Sequence, residues 1–198
     1  MHSLLVIDPW ITENLTEARS SDSPGRILSS CGYVIHTAVS MDEALALLQD
    51  ADASILHLPM SELTVWRTRL QLRKIAPVFW WCTPRSSTLS VSDCHEQVMV
   101  DGILSPAMLP PEIHWILHFG ARQCFERQQW LKEREQLLSR MEERKWIDLA
   151  KGILSKTKNI SESEAYDLLR KQAMNERKRL VDVATSIVKV YQLLQDQT

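Results

Sequence analysis

The sequence predicts a doubly wound α/β domain, then one long helix, then a small all-α module of three helices. Three observations carry that prediction. Short apolar runs alternate with helical patterns through the first half of the chain, which is the pattern of a parallel sheet built from strand–helix–strand units. After Pro110-Pro111 the chain runs without a further proline and repeats an apolar residue every seven positions, the signature of a long helix. Residues 144–191 then hold three helical patterns with no proline or long loop between them, each lined on one side by alanine and leucine.

The elements follow in order. Residues 4–8, LLVID, form an apolar run ending in an acid and suit a buried strand. Residues 20–25, SSDSPG, read as a loop, and Gly32 is placed to stop the helix that precedes it. Residues 34–38 make a second strand. Ser40 and Glu43 form a capping box that opens a helix over 42–49. Residues 53–58 are a third strand closed by Pro59, and 62–72 are helical. The run PVFWWC within 77–83 is too apolar for an exposed edge, so it is a central fourth strand; 98–104 is the fifth. The serine-rich connection 84–96 shows no clear helix. Domain boundaries are expected at 1–111 for the α/β domain, 112–143 for the linking helix and 144–198 for the C-terminal module.

On the long helix Leu117, Cys124, Leu131 and Leu138 recur every seven residues, and Met141 continues the seam. Such a seam suits a coiled coil between two copies, or a helix packed on its own domain; the repeat favours the homodimer, with these five residues as its contact. In the last module Ala150, Ile153 and Leu154 continue the helix, with Gly152 where close packing is expected. Ser161 and Glu164 form a second capping box, opening a helix through Ala173, and residues 179–195 make the last one.

Composition narrows the function. The apolar fraction of 44% and charged fraction of 24% are those of an ordinary globular protein. No apolar run approaches the roughly 18 residues that span a bilayer, and the N-terminus lacks a basic signal region, so a cytoplasmic protein without membrane association is expected. The cysteines Cys31, Cys82, Cys94 and Cys124 are too scattered for a metal cluster and read as free thiols. The net charge of −2 is unevenly distributed: residues 1–111 carry 7 basic and 12 acidic side chains, and residues 144–198 carry 11 and 7. That asymmetry points to a polyanionic partner for the C-terminal module, against the plainer reading of a solvated face.

Catalytic patterns are missing. There is no phosphate loop, no HExxH and no nucleophile elbow, and five glycines leave little room for nucleotide-binding loops. His114 and His118 are spaced i, i+4 but have no evident third ligand, so no metal site and no cofactor are implied. A non-enzymatic protein is expected.

The order of strands and acids resembles the receiver domain of response regulators. In that family paired acids follow the first strand, an aspartate ends the third, a hydroxyl follows the fourth and a Lys-Pro follows the fifth. The resemblance is degenerate here. Asp8 is a single acid, Ile55 stands four residues before Pro59 where the acceptor aspartate is expected, Thr83 keeps the hydroxyl, and Ser105-Pro106 replaces Lys-Pro. This implies a pseudo-receiver without aspartyl phosphorylation. His57 reads as a packed or half-exposed histidine, because no acid accompanies it in sequence.

Ala150-Lys151-Gly152, Glu164-Ala165-Tyr166, Leu169-Arg170, Ala173-Met174 and Val183-Ala184 together resemble the ANTAR module, the RNA-binding output of some bacterial antiterminators. The resemblance covers about residues 143–192. It implies binding of a leader RNA with two small hairpins, which keeps a terminator from forming. Lys151, Lys156, Arg170, Lys171, Arg177, Lys178 and Arg179 are the candidate phosphate contacts. Tyr166 suits either base stacking or the core, and Ala150 and Ala173 suit either close helix packing or the approach of RNA. A pseudo-receiver, a coiled coil and such a module together resemble the amidase-regulator type of antiterminator, which implies control by a ligand-sensing regulatory protein. Two other readings stay open: a phosphorylation-dependent regulator with a non-standard acceptor, and a coiled-coil adaptor whose basic tail binds protein or DNA.

Overall fold

The computed structural model describes residues 2–12, 22–87 and 100–195. Two compact units divide the chain, residues 1–128 and 129–198. The division falls inside the long helix.

The first unit contains, among the described residues, five parallel strands: β1 (Ser3–Ile7), β2 (Val34–Ala38), β3 (Ala53–Leu56), β4 (Val78–Trp81) and β5 (Gly102–Leu104). Their order across the sheet is β2-β1-β3-β4-β5. That order is the flavodoxin-like doubly wound topology, in which the connections reverse direction between β1 and β3. Three helices separate the early strands: α1 (Pro24–Ser30), α2 (Met41–Leu47) and α3 (Met60–Gln71). Pro24 opens α1, a position where its missing N–H costs nothing. Gly32 follows α1 with φ +90°, a left-handed conformation that glycine adopts without strain. Ser40 caps α2 by accepting the Glu43 amide, and Glu43 returns the bond to Val39 N. The helix ends sooner than its sequence pattern, passing into a short 3-10 turn at Leu48–Asp50.

Alternation along each strand sorts side chains to the two faces of the sheet. Leu5, Ile7, Leu56, Val78 and Trp80 join Ala44 and Leu48 of the α2 segment and Leu63 and Leu70 of α3. Leu4, Val6, Ala53, Ile55, Phe79 and Trp81 join Leu28 of α1 with Ile113 and Leu117 of the long helix. Both faces are covered, which is why these strands read as continuous apolar runs rather than alternating ones.

The long helix, α4 (Pro110–Lys158), is unbroken for 49 residues. Its first part presents Ile113, Leu117, Gly120 and Cys124 at spacings of four, three and four, a single helical stripe, and all four are buried. This corrects the dimerisation seam. Leu117 and Cys124 are 0% and 2% exposed inside the first unit, so the repeat that suggested a seam there records packing on its own domain. Gly120 sets how closely helix and sheet approach. A Cβ at this position would lie 2.5 Å from the Asp101 carbonyl oxygen and 2.5 Å from the Phe79 ring. Asp101, buried beside β5, accepts from Val78 N at 2.8 Å and pairs with Arg127 of α4. Burial opposes the Arg127 charge, but the Asp101 hydrogen bond and charge prevail and raise its pKa above the ordinary value.

In the second unit α4 continues into α5 (Glu162–Glu176) and α6 (Leu180–Gln195). Residues 129–142 of α4 include no buried side chain; Leu131, Leu138 and Met141 are 57%, 51% and 68% exposed. Two Schellman turns end α4 and α5, with Asn159 at φ 51° and Arg177 at φ 53° in the left-handed position. Ile160 N donates to Ser155 O in the first, and Lys178 N to Ala173 O in the second. The predicted loop at 84–96 is a turn over Pro84–Ser86 as far as residue 87, and the rest lies outside the described residues, as do Cys94 and the first residues expected for the fifth strand.

Replacing Gly120 by alanine forces Phe79 or the β5 edge to give way. The expected loss is about 2 kcal/mol, the usual cost of overfilling a packed interface. Urea unfolding of Gly120→Ala against the parent chain measures it, and an unchanged midpoint would refute the close approach.

Candidate nucleic-acid interface

The C-terminal unit is built around small residues. Ala150, Leu169, Ala173, Val183, Ala184 and Val188 form its buried core, with Trp146, Ile147, Ile153, Leu154, Leu180 and Ile187 packed on the rim. Alanine at helix contacts lets the backbones approach closely while retaining full helix propensity. Ala150 and Ala173 are therefore core residues, not points of RNA approach; Ala150 has no exposed surface. Gly152 departs from expectation in the opposite sense, since a Cβ built there would meet nothing within 4 Å and no internal packing requires it. Ser161 caps α5 with the full capping box: its Oγ accepts from Glu164 N at 3.3 Å, and Glu164 accepts from Ser161 N at 2.9 Å. Those bonds hold the Glu164 carboxyl below its ordinary pKa.

The seven basic candidates fall into two groups. Lys151 is half-buried and lies 2.7 Å from Asp148 and 3.8 Å from Glu162, with the Asp148 bond raising its pKa. Lys178 pairs with Glu176 at 2.8 Å, and Arg179 pairs with Glu143. Lys156, Arg170, Lys171 and Arg177 are exposed and make no ion pair among the described residues. Tyr166 is 41% exposed and stands outside the core cluster. With Arg170 and Met174 it follows the i, i+4, i+8 spacing of one helix face, and Arg177 follows at the left-handed residue that ends the helix. The sequence reading lacked Met174 in this stripe, although its position four residues after Arg170 marks it.

The strand ends of the first unit form a second constellation. Ile7 pairs with Leu56 in the parallel register, so the next residue on each strand, Asp8 and His57, are neighbours. His57 Nδ1 lies 3.0 Å from Asp8 Oδ2, beside the carboxylate and off the line of a straight hydrogen bond. Its Nε2 lies 3.1 Å from Thr83 Oγ1, and Thr83 Oγ1 lies 3.2 Å from the buried Ser86 Oγ. Trp10 packs edge-on to the imidazole at 4.6 Å, and the Arg85 guanidinium lies over the Trp10 ring. Two sequence readings are corrected here. Ile55 is inside β3 and buried in the face toward α1 and α4, so counting back from Pro59 misplaced the strand-end position by two residues. His57 does have an acid beside it. Parallel register supplies Asp8, which is 49 residues away in sequence. Ser105 follows β5 and is half-buried, and no hydrogen bond or ion pair joins it to this group among the described residues.

The constellation does not fit a hard divalent cation, which takes six or more oxygen ligands. Among the described residues Asp8 is its one carboxylate, with Oδ1 accepting from Trp10 N at 3.2 Å and Oδ2 beside His57. The His114–His118 pair is likewise engaged. His114 Nδ1 is 2.7 Å from the Tyr33 hydroxyl and His118 stacks edge-on to Phe119.

Comparison with known proteins places the helical module. The family model of the ANTAR domain matches residues 135–188. The C-terminal module is an ANTAR domain. Its match begins within α4, so the helix that starts on the sheet of the first unit also supplies the first helix of the ANTAR domain. A nitrate regulatory protein of Klebsiella oxytoca is 35% identical over 75 residues, 38% of this chain and 19% of that protein. The chain thus spans about one fifth of the length of that curated relative. The chemotaxis protein CheY4 of Vibrio cholerae aligns over 60% of this chain and 97% of its own, at 20% identity and a TM-score of 0.37. The receiver-like topology of the first unit rests on its own strand order.

Substituting Ala150 by leucine places three extra carbons where the ANTAR helices meet. The expected cost is about 1–3 kcal/mol. Thermal unfolding followed by helical circular dichroism tests this, and an unchanged Tm with lost RNA affinity would return Ala150 to the interface.

Proposed function

We propose that this protein is a non-enzymatic, RNA-binding transcription antiterminator that acts in the cytoplasm as a homodimer. The carrying observation is the match to the ANTAR domain at residues 135–188, where α5 bears the exposed Tyr166 and Arg170 on one face and Arg177 is exposed at its C-terminal end. Aromatic and guanidinium groups suit the unpaired bases and phosphates of hairpin loops. The RNA is a leader with two small hairpins, and one copy of the ANTAR domain engages each. Two modest affinities held together give tight binding without new contacts.

Within the basic set, Arg170, Lys171, Arg177 and Lys156 are assigned as phosphate contacts and Tyr166 as the stacking platform. Lys151, Lys178 and Arg179 first have to leave their carboxylate partners, so they contribute less. The division into pseudo-receiver (1–111), linking helix (112–143) and output domain (144–198) is retained as a functional one. The dimer contact is confined to the exposed turns of α4, with Leu131, Leu138 and Met141. Control is assigned to a ligand-sensing partner protein and not to phosphate, because the strand-end group holds no carboxylate at the acceptor position. The regulatory name of the nitrate-responsive relative agrees with the class of function.

Arg177 gives a discriminating variant. Its left-handed backbone costs an arginine about 1 kcal/mol that glycine does not incur. Arg177→Gly is therefore expected to stabilise the protein while weakening two-hairpin RNA binding, and Arg170→Ala with Lys171→Ala should reduce the salt slope of log K by about 2. Fluorescence anisotropy over a salt series reads both. Equal competition by duplex DNA, or unchanged RNA affinity in both variants, would sink the RNA assignment. For the dimer, Leu131→Glu with Leu138→Glu is expected to halve the mass seen in sedimentation; a monomeric parent chain would end that proposal.

A further inference from the structure

Doubly wound sheets bind ligands in the crevice beyond the carboxyl ends of the strands, at the point where the connections reverse. In this protein that point lies between β1 and β3, at the site of Asp8 and His57. Three strand ends contribute: Asp8 after β1, His57 after β3 and Thr83 after β4. The imidazole lies between the other two, 3.0 Å from Asp8 and 3.1 Å from Thr83, with Trp10 closing its edge. Its side chain is only 12% exposed and that of Asp8 only 6%.

We propose that His57 is a built-in occupant of this crevice, its ring standing where the fold would receive an exogenous ligand and tying Asp8 to Thr83. The hydrogen-bond inventory is consistent with this. An ionised carboxylate can only accept, so we place the ring proton on Nδ1, 3.0 Å from Asp8 Oδ2 and off the line of a straight hydrogen bond. Nε2 of the neutral ring then accepts from the Thr83 hydroxyl. Ser86 holds Thr83 in place, since its Oγ accepts from Thr83 N at 2.8 Å and its own N–H reaches the Thr83 carbonyl at 3.0 Å. The ring therefore fixes the turn after β4 in one arrangement, as a bound ligand would. The crevice is shut, and any signal to this unit enters at another surface. The inference is independent of the RNA assignment.

The full-length chain tests it in two ways. In ¹⁵N spectra of histidine-labelled protein, the signals lost in His57→Gln are expected to show a protonated Nδ1 and, for the neutral ring, an unprotonated Nε2. That is the tautomer imidazole disfavours in water, and packing alone would not select it. A bare Nδ1 overturns the proposal. Second, His57→Gly leaves a cavity of the shape of the missing ring. Millimolar imidazole is expected to raise the Tm of this variant and not of the parent chain, with several-fold weaker rescue when Asp8→Asn is added. If His57→Gly unfolds, imidazole is expected to restore folding on dilution from urea. Indifference of the variant to imidazole, or a rise in the parent's Tm with magnesium and beryllofluoride, refutes an occupied crevice.

Discussion

The buried stripe on the first turns of α4 is the constraint on which the rest depends. Ile113, Leu117, Gly120 and Cys124 close the second face of the sheet, and without them Leu4, Val6, Ile55, Phe79 and Trp81 would face water. Burying side chains of this size contributes about 2 kcal/mol each. Glycine at 120 lets the helix approach the sheet, and Asp101 with Arg127 ties the helix at the last turn of this contact. A buried carboxylate is costly unless paired, so this ion pair also specifies which helix face meets the sheet. One face of α4 is committed here, and exposed apolar residues remain on its other faces, with Trp115, Phe119 and Phe125 before residue 128 and Trp130, Leu131, Leu137, Leu138 and Met141 after it.

A different balance operates at the strand ends. In a doubly wound sheet the residue just past a strand's carboxyl end borders the crevice, while Ile7 and Leu56, the last residues of β1 and β3, are buried in the core with α2 and α3. Here, among the described residues, that crevice holds an acid, an imidazole and two hydroxyls in contact, with no second acid and no lysine. Such a group satisfies itself. Asp8 has the ring beside it, the ring has Thr83, and Thr83 has Ser86. The polar groups of the site satisfy one another within the fold.

In the ANTAR domain, the packed core and the exposed basic surface use different residues of the same helices. Alanines and valines take the inner face of α5 and α6, and the outer face of α5 keeps Tyr166, Arg170, Met174 and Arg177 in water. Three of the seven basic candidates, Lys151, Lys178 and Arg179, are paired with neighbouring acids. Net positive charge alone therefore does not separate these from Lys156, Arg170, Lys171 and Arg177, the candidates with no ion pair among the described residues.

Much of this was legible from the sequence. Apolar runs, capping boxes, Gly32 and the ANTAR motif pairs determined the α/β-then-α order, the helix starts at Ser40 and Ser161, and the family of the C-terminal module. These are local signals, set by side-chain periodicity and by single hydrogen bonds within four residues. Which face of a repeat is spent, and which residues meet across strands, were decided only by the tertiary structure. A seven-residue repeat looks alike whether its partner is a sheet or a second helix, so Leu117 and Cys124 could not be told from Leu131 and Leu138. Exposed and buried alanines share one pattern, so Ala150 and Ala173 stayed ambiguous. The pairing of Asp8 with His57 joins residues far apart in the chain through parallel register, and register is fixed by the burial of both sheet faces, a property that no short stretch of the sequence contains.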